Sequence, residues 1–385
     1  MTADEKIVHS LALLRKYMEE EEFKGYDPYD GLNAPIFRWP VLRRQHTLLF
    51  LIQQGIKRSP INLRKPLGIK KSINPVTLGL AIQGYAQSSS PGTVARDLEK
   101  INHLLDELKR LIPPGYQGAC WGYDFPWEAR YASIPAYQPT IVATGIICNA
   151  LYLAWKKLNI PEAASLIEAC GQFIIRHINR SVEQDQSFCF SYSPFDHEKV
   201  FNASMKGARM LSQAYVITKN EAWRTLAAQA VDWVMKYQRA DGAWVYSQRK
   251  TGDWIDNYHT GYILDCLDDF GKCTGLTQWN PALEKGLHFY LSNFIGPQGQ
   301  ARFYDQQEWP LDCTAAGQCL LTLSRFNRLE EAKRVALYTI ENMQDSKGYF
   351  YFRKYPKHTN KANFMRWSNA WMLAGLSSIP TETSA

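Results

Sequence analysis

At 385 residues and 45% hydrophobic, the chain can bury a large core, either as two ordinary domains or as one repetitive one. Its net charge of +7 is concentrated: between Gly31 and Ala95 there is no Asp or Glu, against Arg38, Arg43, Arg44, Lys57, Arg58, Arg64, Lys65, Lys70 and Lys71. No helix-turn-helix, RNP-like or zinc-finger pattern accompanies that charge, which disfavours nucleic acid and leaves a solvated basic face or attraction to an anionic glycan, lipid pyrophosphate or membrane surface.

The N-terminus lacks a secretory signal pattern and reads as an amphipathic helix over 4–24, with Ile7, Leu11, Leu14, Tyr17 and Met18 at helical spacing. A turn-rich KGYDPYDGLNAP follows, then a helix from Pro40 to Gly55. Asn74-Pro75 opens the next, with Asn as N-cap and Pro at the first helical position. Gly92–Leu111 forms another. From there helices come in pairs: Pro139–Leu158 with Pro161–Asn179, Asn202–Thr218 with Glu221–Gln238, the helix from Asp256 with Pro281–Phe294, and Asp312–Phe326 with Leu329–Met343. A last helix ends near Ser378, and residues 380–385 are expected to be a disordered tail. No apolar run near the ~18 residues of a membrane span is apparent. The eight cysteines form no C-x-x-C pair, so a reduced cytoplasmic compartment is expected and a metal or other cofactor is not.

Each later pair is introduced by an aromatic, strand-like tongue whose anchors Trp121, Phe188, Trp244, Phe303 and Phe350 lie roughly 47 to 67 residues apart, the spacing of stacked supersecondary units. The fullest copy has a turn at Asp241-Gly242, a short strand over 243–246, and a helix opening at Asp256. Gly145, Gly207, Gly261, Gly317 and Gly375 let one helix set approach closely, while charged faces such as Glu330, Glu331, Lys333 and Arg334 suit an outer ring. An open stack would need polar end caps, and neither end supplies one. The expected fold is therefore all-α, an (α/α)6 toroid of helical hairpins with short β-like tongues in its loops, one domain over 1–379.

The alternation G-x-[WF]-x-Y, long loop, then a polar residue opening a Gly/Ala-rich helix resembles the six-hairpin (α/α)6 toroid superfamily of glycoside hydrolases, polysaccharide lyases, sugar epimerases and terpenoid-cyclase-like proteins. DNYHTGYIL, WGYDFPW and YDPYDGLN are similar to segments of VpsJ-like proteins of bacterial exopolysaccharide clusters. The resemblance implies a glycan or lipid-linked sugar substrate in surface polysaccharide synthesis, without naming a reaction.

If the inner helices start on one face, their N-terminal ends surround one cleft that favours anionic groups. Candidate catalytic residues are Asp124, Asp256, His259 and Asp312; candidate substrate contacts are Trp121, Tyr123, Trp127, Tyr137, Asn202, Asn257, Arg366 and Trp367. Asp256, Asp312 and Asn202 also stand where N-caps belong, Asp27 and Asp30 flank tight turns, and a first-turn His is often structural. Asp124, wedged among Tyr123, Phe125 and Trp127, suits a raised-pKa acid. Paired with Asp256 or Asp312 it would serve glycoside hydrolysis. Alternatively, Asn257 or Arg366 neutralises a uronate carboxylate while His259 or Tyr258 moves the C5 proton, in lyase or epimerase chemistry. Asn257 and His259 cannot both be assumed to face the cleft, since neighbouring helical side chains diverge by about 100°. Asp268-Asp269 reads as a solvated helix end. The other class is a non-catalytic glycan-binding or assembly protein, and the basic segment 31–95 suggests peripheral contact with an anionic inner membrane.

Overall fold

The computed structural model describes residues 1–39, 45–128 and 133–381. Arg43, Arg44, the first residues of the helix expected from Pro40, and most of the expected tail lie outside the described residues.

Six inner helices are rich in apolar and small residues and buried on most of their surface. They are α3 (Pro75–Ser88), α5 (Ile141–Leu158), α7 (Phe201–Thr218), α9 (Asn257–Thr274), α11 (Cys313–Arg325) and α13 (Trp371–Ser377). A helix apolar on most sides must be buried on most sides, and these pack side by side in sequence order until α13 returns to α3. Five amphipathic helices back them: α4 (Val94–Arg110), α6 (Pro161–His177), α8 (Glu221–Met235), α10 (Asn280–Phe294) and α12 (Leu329–Met343). In α4 the buried stripe is Asp97, Ile101, Leu104, Leu105 and Leu108, the spacing of a one-faced helix. Close approach of inner helices depends on glycine: a Cβ on Gly317 would lie 2.6 Å from the Trp371 backbone, and one on Gly375 2.6 Å from the Gly317 carbonyl oxygen.

The sixth outer helix is α1 (Ala3–Glu20), which packs on α12 and α13. A repeated turn identifies its role. Gly118, Gly242, Gly299 and Gly348 all have φ between 94° and 99°, and a Cβ on each would strike a backbone carbonyl of an outer helix: Ala169 of α6, Lys285 of α10, Arg334 of α12 and Leu13 of α1. Thus α1 occupies in the last repeat the place the next outer helix takes in the others. The chain forms an (α/α)6 toroid whose two sequence ends complete the same hairpin.

The tongues form small antiparallel sheets. β1 (Lys24–Gly25) pairs with β2 (Ser72–Ile73), β3 (Trp127–Glu128) with β4 (Ser133–Ile134), and β5 (Arg180–Val182) with β6 (Phe188–Phe190). β7 (Arg302–Tyr304), β8 (Gln307–Asp312), β9 (Tyr351–Lys354) and β10 (Thr359–Asn363) form one sheet in the order β10-β9-β8-β7. Successive tongues are joined around one end of the ring. The Ile141 N–H donates to the Tyr192 carbonyl, and bridges link Val200 with Ser247, Asp256 with Tyr304, and Tyr26 with Phe364. The anchors go into the core: the Trp121 indole donates to the Leu108 carbonyl at 2.8 Å and that of Trp244 to Val234 at 3.1 Å, satisfying otherwise orphaned carbonyls at outer-helix ends.

Four expectations need correction. The expected strand over 243–246 does not form, because the Tyr246 N–H turns to the Trp254 carbonyl of its own loop. The helix expected to end at Gly55 runs over His46–Arg58 as α2. The final inner helix opens with a π-helical turn, Met365–Ala370. Finally, α5 is long and apolar enough by composition to cross a membrane, with a mean hydropathy of 1.2 over 18 residues, but here it is an inner helix of the ring.

Candidate active site

A cavity of about 460 Å³ occupies the tongue end of the ring. Seven tyrosines (Tyr29, Tyr123, Tyr192, Tyr246, Tyr258, Tyr262, Tyr304) and four tryptophans (Trp127, Trp254, Trp367, Trp371) line it, together with His259, Lys57 and Arg366. Flat amphipathic rings of this kind suit stacking on a pyranose while their polar tips hydrogen-bond its hydroxyls.

His259 comes from the first turn of α9. Asp256 caps that helix, and its carboxylate accepts from the His259 backbone N–H at 2.9 Å, the His259 ring Nδ1 at 2.7 Å and the Trp254 indole at 3.1 Å. An ionised carboxylate only accepts, so Nδ1 carries a proton, and in the neutral ring the lone pair lies on Nε2. Tyr246 and Tyr258 flank the ring at 4.6 and 4.2 Å between centroids. The helical turn that puts His259 on the cavity wall sends Asn257 the other way, where its Oδ1 accepts from Tyr290 of α10 at 2.7 Å.

Arg366 enters from the π-turn. Its guanidinium makes two bonds to Asp27, at 2.6 and 2.9 Å, and lies 4.9 Å from the Tyr123 ring centre and 5.2 Å from that of Trp367. Burial opposes its charge, but Asp27 holds its pKa above the ordinary value. Asp27 in turn belongs to a buried chain, its N–H donating to Asp30 at 2.9 Å while Arg64 bonds Asp30 at 2.8 Å and the Asp27 carbonyl at 2.9 Å. Lys57 of α2 donates to the Tyr29 hydroxyl with its ammonium 4.0 Å from that ring's centre. Burial, with Arg353 nearby, pushes its pKa down to about 7. The tyrosines move oppositely: burial pushes Tyr29 up to about 12 and Tyr258 well above the ordinary phenol, so these hydroxyls stay protonated and are not ready bases. That counts against Tyr258 as the proton acceptor.

The expected carboxylates surround this mouth but stand behind its wall. Asp124 is buried, accepts from Ser72 and from Asn74 at 2.5 Å, and burial raises its pKa. Asp312 caps α11 and accepts from Arg353 at 2.5 Å, the Trp367 indole at 3.0 Å and the Thr314 N–H at 2.9 Å. Neither lines the cavity. Those that do are held by neighbours: Glu128 by Ser133 at 2.7 Å, Asp196 by the Tyr192 and Glu198 N–H groups at 3.0 Å each, and Glu198 by Arg249 at 2.6 Å.

Of the expected substrate contacts, Tyr123, Trp127, Arg366 and Trp367 line the cavity, whereas Trp121, Tyr137, Asn202 and Asn257 do not. Trp121 is wholly buried as a core anchor. Tyr137 sits in a turn with φ 63° whose N–H bonds the Tyr123 carbonyl. Asn202 lies inside the first turn of α7 rather than capping it; it is buried, and neither side-chain polar atom has a partner among the described residues. Lys57, Tyr29, Tyr192, Tyr246, Tyr262 and Trp254 were not singled out from sequence. Two of them carried a signal: Tyr192 and Tyr246 follow Phe190 and Trp244 at the same two-residue spacing by which Tyr123 follows Trp121.

Comparison with solved structures finds the same architecture. The chain superposes on cellobiose 2-epimerase from Bacillus thermoamylovorans with a TM-score of 0.60 at 11% identity, covering 79% of this chain and 87% of that one. For a sugar epimerase from a ruminal bacterium the values are 0.59, 13%, 80% and 90%. For the GH76 alpha-mannanase of Bacteroides thetaiotaomicron they are 0.57, 12%, 80% and 86%. These are six-hairpin glycosidase-like toroids, and at such identities the likeness establishes the fold. No family model and no curated protein sequence matches the chain.

Proposed function

We propose that this protein is a carbohydrate-active enzyme that moves a proton at a sugar carbon beside a carboxylate or carbonyl, as epimerases and uronate lyases do. The observation that carries the reading is His259, a cavity-wall imidazole held through Nδ1 by a buried carboxylate, with Nε2 left to take the proton. Imidazole is the side chain most used for proton transfer near neutral pH. Hydrolysis is the weaker reading, because it needs two available carboxylates and those around this cavity are each held by neighbours. Lys57 and Arg366 are the cations placed to meet a substrate carboxylate, a role foreseen for Asn257 but opposed by its outward orientation. The epimerases among the structural neighbours and the resemblance to exopolysaccharide-cluster proteins support a glycan or glycan precursor as substrate.

The test is incubation with uronate oligomers and polymers in deuterated water. Deuterium at C5 without cleavage reports an epimerase, and absorbance of an unsaturated product reports a lyase; His259→Gln should lose either. Reducing ends released without deuterium incorporation would make the protein a hydrolase. Glycan binding with silence in all three assays would make it a binding or assembly protein.

A second observation favours work at a membrane surface on a lipid-linked sugar. Ile36, Trp39, Leu51 and Ile61 are 56, 69, 60 and 66% exposed, in the same segment as exposed Arg58, Lys65 and Lys70 and next to the cavity wall formed by α2. Apolar side chains among cations suit an anionic bilayer. Sedimentation with phosphatidylglycerol vesicles, lost in high salt and in Trp39→Ser/Leu51→Ser, is expected; equal recovery with neutral vesicles would count against it.

A further inference from the structure

The ring has a second cavity, of about 260 Å³, at the end away from the tongues. Ile146, Tyr262 and Trp371 line both cavities and so form the partition between them. Beside the second cavity stand Asp268 and Asp269, which were expected to form a solvated helix end. Asp268 and Asp269 are instead bound by Arg325, at 2.8 and 2.5 Å, and that guanidinium also lies 3.6 Å from Asp265. Arg209 lies 3.6 Å from Asp269, and Lys272 lies 2.8 Å from Asp268. Asp268 and Asp269 are thus answered by Arg325, Arg209 and Lys272, while Asp265 accepts from Gln318 at 2.7 Å through one oxygen and has no hydrogen-bond partner for the other among the described residues. The remaining cation is Lys206.

Lys206 is 1% exposed and lines this cavity, yet among the described residues its ammonium donates no hydrogen bond and meets only the ring face of Tyr262, 3.5 Å from the centroid. Burial, with Arg209 beside it and only Asp265 and Cys266 opposing, pushes its pKa down to about 7. A second donor has no acceptor either. Gln213 donates to Asn149 at 3.0 Å and Asn149 to Gln83 at 3.4 Å, leaving the Gln83 amide NH₂ at the cavity without an acceptor among the described residues. The Arg209 Nε is likewise buried without one. Leaving buried donors unmatched is costly, most of all for a charged one. Negative partial charge from inner-helix C-termini fades within the last turn, and Lys206 stands in the second turn of α7.

We infer that this far cavity is a binding site for a compact oxyanion, a carboxylate or phosphate group, received by Lys206 and Gln83. The cavity is small for an organic ligand of ordinary size, so the anionic group must make up much of what enters. This site is separate from the tongue-end cavity, and the inference does not depend on the reaction proposed there.

The test is calorimetric titration of the full chain with sodium phosphate and, separately, sodium acetate, a compact carboxylate, with glucose as the neutral control. Saturable one-to-one binding of either anion is expected, and which one binds identifies the group. Lys206→Met should weaken that binding at least tenfold, whereas Lys57→Met, in the other cavity, should leave it within twofold. Gln83→Leu serves as the second variant should Lys206→Met fail to fold. Acetate titration in buffers of different ionisation enthalpy should show net proton uptake at pH 7 as Lys206 is recharged. Absence of saturable binding by both anions, or binding lost in Lys57→Met and kept in Lys206→Met, would overturn the assignment.

Discussion

Replacing Asp27 by Ala removes the partner of a buried guanidinium and leaves Arg366 charged among Tyr123, Phe125 and Trp367. Breaking a buried pair from one side costs about 3–5 kcal/mol, because the surviving charge has lost its compensation. The upper part of that range is expected, since the carboxylate accepts both guanidinium bonds and the Tyr29 N–H at 3.0 Å. At about 2.1 cal/mol/K of unfolding entropy per residue, the loss corresponds to a fall in Tm of about 4–6 °C for a chain of this length. Urea unfolding followed by tryptophan fluorescence measures it. The double variant Asp27→Ala/Arg366→Met, which removes both charges, should recover at least half the loss. A single-variant cost below about 1 kcal/mol, or a double variant no better than the single, would refute the view that Asp27 is what compensates the buried Arg366 charge.

Gly317→Ala should destabilise the ring by more than about 3 kcal/mol, because its Cβ must displace the Trp371 backbone, whereas Gly55→Ala in α2, with nothing within 4 Å, should stabilise by about 0.5–1 kcal/mol; thermal melts of both suffice. Asp256→Ala should cost about 1 kcal/mol as a lost N-cap and, by freeing the His259 ring, lower turnover far more than His259→Gln lowers stability, a contrast read by pairing denaturation with the deuterium-exchange assay. Lys57 has a folded pKa, about 7, below its unfolded value, so the folded state binds fewer protons between pH 7 and 10 and stability should rise with pH there. Lys57→Met should flatten that rise by up to about 1.4 kcal/mol per pH unit, as measured by urea unfolding at pH 7 and 8.5.

Inner helices were legible in the sequence because an apolar, small-residue helix has its own composition, and the N-caps because the capping bonds of Asn74, Asp256 and Asp312 reach only two or three positions on. What escaped the sequence depends on partners far along the chain. Asp312 reads locally as a cap; that it is also sealed behind the wall follows from Arg353 and Trp367, which the next tongue and the π-turn supply. Asp268-Asp269 looked solvated because Arg325 is 57 and 56 residues away. The aromatic site was partly legible: the aromatic-x-Tyr spacing of Trp121 and Tyr123 recurs at Phe190 and Tyr192 and at Trp244 and Tyr246. Lys57 gave no signal, since its burial arises only when α2 lies against the mouth.

Because α1 completes the hairpin that α13 begins, the earliest and latest parts of the sequence must find each other across contacts such as Ser10 with Gln344 and Asp27 with Arg366, separated by 334 and 339 positions. Contacts of such range form slowly. Until they do, the apolar stripe of Ile7, Leu14 and Met18 has no surface to cover it and Arg366 has no counter-ion. Chain closure and completion of the sugar-sized chamber are therefore one event on the folding path, and a half-made molecule holds neither.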